Sequence, residues 1–227
     1  MGDRIIELAV AIALAYLVVS WGWRRRKIAK MAPPDRPVLI PAAVPVWTVP
    51  EGNVMLPGSI WPFELRRPES QAMILGSHKG SGIIGVATDV PEAGRVVCAA
   101  RVLEARRDGD KVAAMIQGVA RIRLIAEQRS GKWTVKLLAD SKEATDRVHL
   151  AAERIRQLAL RVVDQREVPA DFVELLRSTT VLTGLVDLAT GLCDLPRETQ
   201  TAVLTTEDLP ERFAIVRKAL EERAARG

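Results

Sequence analysis

The chain has 227 residues, of which 48% are hydrophobic and 27% are charged. This length fits one domain of ordinary size or two small lobes beside a short N-terminal segment, and the charged fraction excludes a protein that crosses the membrane many times. The formal net charge of +5 equals the charge of one cluster, formed by Arg24, Arg25, Arg26, Lys27 and Lys30. The rest is near neutral, so the composition does not indicate a nucleic-acid-binding protein.

The N-terminal segment 5–23 predicts a single transmembrane helix. No side chain from Leu8 to Trp23 is charged, and at about 1.5 Å per residue the segment nearly spans a hydrocarbon core of ~30 Å. The basic cluster follows the apolar run, whereas a cleavable signal peptide carries its positive charge before it. The positive-inside rule then places residues 24 onward in the cytoplasm and the N-terminus outside. The predicted anchor residues are Leu8, Trp21, Trp23, Arg24, Arg25 and Arg26.

A proline-rich linker follows the predicted anchor. Residues 31–45 contain five prolines, which is typical of an extended and semi-stiff tether. The composition changes again after the linker, from short apolar stretches to long periodic ones. The predicted organisation is an anchor with its basic flank (1–30), a linker (31–43), a β-rich lobe (44–142) and a helical lobe (143–227).

The β-rich lobe consists of short apolar stretches separated by Gly, Pro and Asp. Asp108-Gly109 and the segment 128–133 each predict a hairpin turn between two strands. One helix is expected at 68–78, with Ser70 as its N-cap. Many short strands with turns at such spacing indicate a small barrel or sandwich. The predicted strands are 44–49, 83–88, 95–107, 111–118, 120–128 and 132–139.

From about residue 142 the apolar period becomes helical. The segment 146–167 has an apolar stripe at spacings of three and four residues. The later helices have candidate start signals at Pro169, Thr179, Asp194 and Asp208, and Glu211 completes a capping box with Asp208. The sequence therefore predicts a C-terminal helical bundle. Its further helices are expected at 169–178, 180–192, 196–206 and 209–226.

No constellation of residues indicates catalysis or a cofactor. Cys98, Cys193, His78 and His149 are scattered and lack the paired short spacing of zinc ligands, so both cysteines are expected to be buried and reduced. The sequence has no GxxxxGK[ST] phosphate loop. A Ser-Lys dyad in GSHKGSG (76–82) would need a buried lysine, which a polar glycine-flanked loop does not provide. We therefore expect a protein that is not an enzyme and that needs no cofactor or metal.

Four motifs in order resemble the N-terminal substrate-recognition domain of Lon proteases, over about residues 43–222. VPVWTV resembles the opening "lPvlPL", and MLPGSIWPFEL resembles "FPgmviPLfv". The third family motif, "eVGtvaki…dGtvkvlveGlqRvri", resembles the stretch AGRVVCAARVLEARRDGDKVAAMIQGVARIRLI. Gly118, Arg121 and Arg123 match this motif in kind. The helical motif of the family, which contains "LPLsveekQelLe", resembles the stretch VDLATGLCDLPRETQTAVLTTEDLPERFAIVRKAL. Trp47 and Trp61 depart from positions that are usually aliphatic.

The resemblance implies an α+β fold with a small PUA-like β-barrel or pseudo-barrel and a C-terminal helical bundle, here behind a transmembrane helix. Together with the anchor predicted from residues 5–23, it implies a module tethered to the bacterial inner membrane that binds exposed apolar segments of unfolded or partly folded polypeptides, and an adaptor for a protease or chaperone is one role that such a module could have. The alternative is an accessory subunit of a membrane complex with one fixed partner. Self-association is left open.

The segment 54–65, VMLPGSIWPFEL, is the candidate binding surface. The family resemblance makes it the first hairpin and the edge of the barrel. Two interpretations stay open at this stage: packing alone, or partial exposure at a peptide-binding groove. The candidate peptide-binding residues are Met55, Leu56, Trp61 and Phe63.

Overall fold

Strands precede helices along the chain in the computed structural model, which describes residues 38–49, 54–138, 146–166 and 168–225. The described residues from Ile40 onward belong to one compact unit. The predicted transmembrane helix and its anchor residues, Leu8, Trp21, Trp23, Arg24, Arg25 and Arg26, lie outside the described ranges. Within those ranges no helix is both long and apolar enough to cross a membrane.

The described strands form one six-stranded sheet with the order β2-β5-β4-β3-β1-β6, and β5 also pairs with β6. All pairings are antiparallel except that of β1 with β3, which is parallel. The pairings therefore run from β5 through β4, β3, β1 and β6 and return to β5, and β2 lies outside this closed circuit. The strands are β1 (Ala43–Thr48), β2 (Ile60–Leu65), β3 (Ile83–Ala87), β4 (Val96–Asp108), β5 (Lys111–Glu127) and β6 (Lys132–Leu137).

The long strand β5 corrects the prediction of two separate strands at 111–118 and 120–128. Ala99 pairs with Ala120 while Ala100 pairs with Gly118, so Val119 is an extra residue in a bulge. A bulge bends a strand without ending its ladder. The first half of β5 accordingly pairs with β2, and the second half pairs with β6.

Both predicted hairpin turns are confirmed. Asp108 pairs with Lys111, so Gly109 and Asp110 form a two-residue loop between β4 and β5, and Gly109 has a φ of 61°. The turn between β5 and β6 contains Gly131 with a φ of 71°. These left-handed conformations favour glycine, which explains why the glycine positions marked the turns correctly.

The described residues also contain six helices. The apolar stripe of α2 is buried as expected, at Val148, Ala152, Ile155, Leu158, Ala159, Val162 and Val163. The helices are α1 (Pro68–Lys79), α2 (Asp146–Asp164), α3 (Ala170–Ser178), α4 (Leu182–Leu192), α5 (Arg197–Thr205) and α6 (Leu209–Ala224).

Helix starts were predicted with mixed success. Asp208 caps α6, because its carboxylate accepts a hydrogen bond of 3.0 Å from the backbone N–H of Glu211. Ser70 is not an N-cap, because α1 already begins at Pro68, which presets the helical φ at the first position. Thr179 ends α3 instead of starting α4, since its backbone N–H bonds to the carbonyl of Leu175. Asp194 lies before α5 with a φ of 48°.

The sheet and the helices share one apolar core, which contains residues from Trp47 to Leu220. Polar contacts also join them. Arg121 of β5 donates to the carbonyl of Thr206, and Arg123 forms an ion pair with Glu207 in the same α5–α6 loop. Arg197 at the start of α5 lies 3.4 Å from Asp89 in the β3–β4 loop. The fold is thus α+β, with the second half of β5 tied to the helices, while the proposed lobe boundaries stay predictions.

Candidate functional site

Strand β2 is the exposed edge of the sheet. It pairs along its whole length with β5, from Ile60 opposite Gln117 to Leu65 opposite Val112. No other strand in the described ranges pairs with it. It does not form a hairpin with β1 either, because β1 pairs with β3 and β6, so the expected first hairpin is wrong. One side of β2 therefore carries no strand of the described ranges, and Pro62 has no backbone N–H to donate to a neighbouring strand.

The segment before β2 is buried against β5. Gly58 donates its N–H to the carbonyl of Gly118, and Gly118 donates to the carbonyl of Ser59, each at 2.9 Å. A Cβ at position 118 would lie 2.2 Å from the carbonyl oxygen of Leu56. Only a glycine allows the two backbones to approach this closely.

Two of the four candidate peptide-binding residues are consequently in the core. Met55 and Leu56 are each 1% exposed. Their side chains offer no surface to a ligand in this structure. Their burial fixes the position of the chain just before β2. A turn at Pro57 and Gly58 follows, in which Gly58 has a φ of 83°, and it leads the chain from the core to the edge of the sheet.

The other two candidates form an aromatic row that reaches the surface. Trp61 and Phe63 lie two positions apart on β2, so they point to the same face of the sheet, and both are half-buried. Phe63 meets the buried ring of Trp47 edge-on, with 4.7 Å between centroids and an interplanar angle of 87°. The ring centroids of Trp61 and Phe63 lie 5.8 Å apart, with an interplanar angle of 57°. Such pairs are held by ring quadrupoles in addition to apolar burial.

The end of β2 is fixed by one buried amide. Nε2 of Gln71 in α1 donates to the carbonyls of Leu65 at 3.1 Å and Asp110 at 2.7 Å. It thereby connects the end of β2 to the β4–β5 turn. Sequence reasoning missed this residue, because a glutamine in a helix gives no signal that it is buried.

The other face of β2 carries charge. Glu64 accepts from Lys111 at 2.8 Å and from Arg66 at 3.2 Å. These hydrogen bonds hold the pKa of the Glu64 carboxyl below its usual range. The carboxylate stays ionised at neutral pH, so the face of β2 opposite the aromatic rings carries a negative charge at Glu64.

The residues considered for catalysis do not form a site. Lys79 and Ser81 are both exposed, as are His78 and His149, although His78 at the end of α1 lies 3.4 Å from the carbonyl of Val102. Cys98 and Cys193 are buried as expected. Burial raises the pKa of both thiols, that of Cys193 to about 12. In the described ranges no group of three or more His, Cys, Asp and Glu residues could hold a metal ion.

Comparison with known proteins adds to this geometry. The family model of the ATP-dependent protease La (LON) substrate-binding domain matches residues 44–222. The chain is 29% identical over 202 residues to a Lon protease of Anaeromyxobacter dehalogenans (strain 2CP-C), and 30% identical over 203 residues to Lon protease 2 of Myxococcus xanthus. Each match covers 81% of this chain and 24% of the relative, so the chain spans about a quarter of the length of these relatives.

Two solved structures share the fold. The N-terminal domain of a Mycobacterium avium complex Lon protease has a TM-score of 0.66 and 22% sequence identity, with 79% of this chain and 98% of that chain covered. A Lon N-terminal domain protein from Xanthomonas campestris has a TM-score of 0.51 and 16% identity, with 76% and 95% covered. At these identities the likeness shows the fold alone.

Proposed function

The chain belongs to the family of LON substrate-binding domains, and from that membership we propose that it recognises polypeptides without catalysing a reaction on them. The single observation that carries the proposal is the match of the family model over residues 44–222. The relatives that cover this region are named Lon proteases, and their matching part is about a quarter of their length. The recognition role of that part is what this chain would retain.

The edge strand β2 is the proposed contact surface. Trp61 and Phe63 present partly exposed rings beside an edge that no described strand covers. An extended apolar segment of a client can lie along this edge and place alternate side chains against the rings. Pro62 limits main-chain pairing, so side-chain contacts would supply most of the affinity. Clients would be unfolded or partly folded, because folded proteins seldom expose such segments.

The proposal includes tethering to the bacterial inner membrane through residues 5–23. The apolar run and the basic cluster that follows it support a single span with the main domain in the cytoplasm. A tether raises the local concentration of clients near the bilayer. In that position the module would act as an adaptor that delivers clients to a separate protease or chaperone.

The test compares binding of reduced, carboxymethylated α-lactalbumin with binding of the native, folded α-lactalbumin by the purified full-length chain. We expect binding of the unfolded form only. Trp61→Ala and Phe63→Ala should each weaken it about thirtyfold, because truncation of a central aromatic anchor costs about 2 kcal/mol. Val181→Ala is the matched control, since Val181 is an apolar side chain that is 64% exposed outside β2. Circular dichroism must show that each variant is folded.

Crosslinking in cells separates the proposal from its alternative. Recovery of many unrelated, partly unfolded proteins, lost in Trp61→Ala, supports client recognition. Recovery of one stoichiometric membrane partner that is insensitive to Trp61→Ala would contradict it and identify an accessory subunit of a membrane complex. Recovery of the chain itself would indicate self-association and would leave β2 to be tested with the unfolded probe.

A further inference from the structure

The helical part of the chain contains a second surface, which includes no residue of β2. A groove of about 380 Å³ lies between α2 and α6. Arg147, Leu150 and Arg154 line it from α2, and Arg217 lines it from α6. Positions 147, 150 and 154 follow helical spacing, so they lie on one face of α2. We call this surface the arginine groove.

The arginine groove carries an excess of positive side chains, because three arginines and one glutamate line it. No described carboxylate forms an ion pair with Arg147, Arg154 or Arg217. Glu153 also lines the groove, but it is engaged by Arg156 at 3.4 Å. Arg156 in turn donates to carbonyls at the end of α3, at 2.8 Å in the case of Thr179.

The apolar part of the groove is equally unusual. Leu150 is 75% exposed and lies between the two arginines of α2. A leucine at such a position contributes nothing to the core, while neighbouring Ala152 and Ile155 are buried. An exposed leucine in a groove lined by three arginines favours a ligand that is both acidic and apolar. The carboxylates of such a ligand can pair with the guanidinium groups, and its apolar side chain can pack against the leucine.

We propose that the arginine groove binds an acidic segment of another polypeptide, with an apolar side chain between two carboxylates. Arg147 and Arg154 are separated by about 10.5 Å along α2 at ~1.5 Å per residue. An extended peptide rises ~3.3 Å per residue and its side chains alternate between two faces, so every second side chain faces the groove. Carboxylates at the first and fifth positions of such a peptide, about 13 Å apart, can therefore reach both arginines through their long side chains, while the apolar side chain at the third position contacts Leu150. A concave groove suits a narrow peptide better than it suits a flat bilayer surface.

The probe is a fluorescein-labelled peptide of the repeated unit Glu-Ser-Leu-Ser, which places its glutamates and leucines on one face of an extended chain, and its control replaces each glutamate with glutamine. Fluorescence anisotropy with the full-length chain should show binding of the acidic peptide only. The binding should weaken as the salt concentration rises, because exposed ion pairs are screened. The double variant Arg147→Glu/Arg154→Glu should weaken binding about tenfold or more, since each arginine contact is lost and a repulsive one replaces it.

Two control variants locate the effect. Arg106→Glu/Arg129→Glu makes the same change of net charge at exposed positions outside the groove, and it should leave the affinity unchanged to within about twofold. Leu150→Ser should weaken the acidic peptide several-fold without altering net charge. Trp61→Ala should have no effect on this peptide, so failure of the β2 proposal and failure of this one are distinguishable.

Three outcomes would overturn the proposal. Equal binding of the glutamate and glutamine peptides would refute the role of charge. Equal loss in both double variants would show a general charge effect with no site. If the acidic peptide does not bind, but phosphatidylglycerol vesicles bind and lose their affinity in Arg147→Glu/Arg154→Glu, the groove contacts anionic lipid instead of a polypeptide.

Discussion

Replacement of Gly118 by alanine is expected to destabilise the protein strongly. An added Cβ would lie 2.2 Å from the carbonyl oxygen of Leu56 and 3.0 Å from Sγ of Cys98. Ordinary contacts of a Cβ are about 3.4–4 Å, so the backbone at Leu56 would have to move by more than 1 Å. That backbone is held by the two hydrogen bonds of 2.9 Å that join Gly58 and Ser59 to Gly118.

The magnitude follows from these contacts. Overpacking a rigid site costs about 1–3 kcal/mol, and weakening two backbone hydrogen bonds adds about 0.5–1.5 kcal/mol each. We expect the free energy of unfolding to fall by about 2–6 kcal/mol. For a domain of this size 1 kcal/mol corresponds to about 2–4 °C in Tm, so a loss of 3 kcal/mol lowers Tm by about 6–12 °C.

The assay is thermal and urea unfolding of the full-length chain in mild detergent, followed by circular dichroism. Gly76→Ala is the matched control, because a Cβ at position 76 in α1 would meet nothing within 4 Å. Alanine should stabilise that helix by about 0.5–1 kcal/mol. If Gly118→Ala unfolds at the same temperature as the wild type, the close approach of Leu56 to β5 is not the reason for glycine at this position.

Two further predictions concern buried groups. Arg212→Met should lower the free energy of unfolding by about 3–5 kcal/mol, because it removes the guanidinium group that pairs with Asp187, a residue that is only 4% exposed. The double variant Arg212→Met/Asp187→Leu should recover most of this loss in urea unfolding. An equal loss in the single and the double variant would contradict this account. Cys98 and Cys193 should not react with iodoacetamide near neutral pH until the protein unfolds. Rapid alkylation of the native protein would contradict this expectation. Since burial raises the pKa of the Cys193 thiol from 9.0 to about 12, the contribution of the buried thiol to stability should be complete below pH 9 and decline as the pH rises towards 12.

Sequence features that act locally predicted the structure well. Gly109 and Gly131 marked turns because the required backbone conformation is a property of the residue itself. Asp208 was identified as a cap because its partner, the N–H of Glu211, is three positions away. The helical stripe of α2 was also visible, since its period is set by the geometry of one helix.

Features that depend on distant parts of the chain were missed. The bulge at Val119 was missed because it is defined by the register with β4, where Ala99 pairs with Ala120 and Ala100 pairs with Gly118. Met55 and Leu56 were predicted to bind peptide, but they are buried. The missing side chain of Gly118 lets their backbone pack closely against β5. Arg121 and Arg123 were noticed as family positions, and only the fold shows that both contact the α5–α6 loop.

The position of β1 between β3 and β6 has a consequence for synthesis on the ribosome. Ala43 and Val44 pair with Thr134 and Trp133, which emerge much later. At ~5–20 residues per second, this delay is on the order of ten seconds. During that time β1 has an unpaired edge and the apolar side chains of Val44 and Trp47 are not yet covered. The nascent chain is thus itself a polypeptide with an exposed apolar strand, and it depends on its own later segments for protection from aggregation.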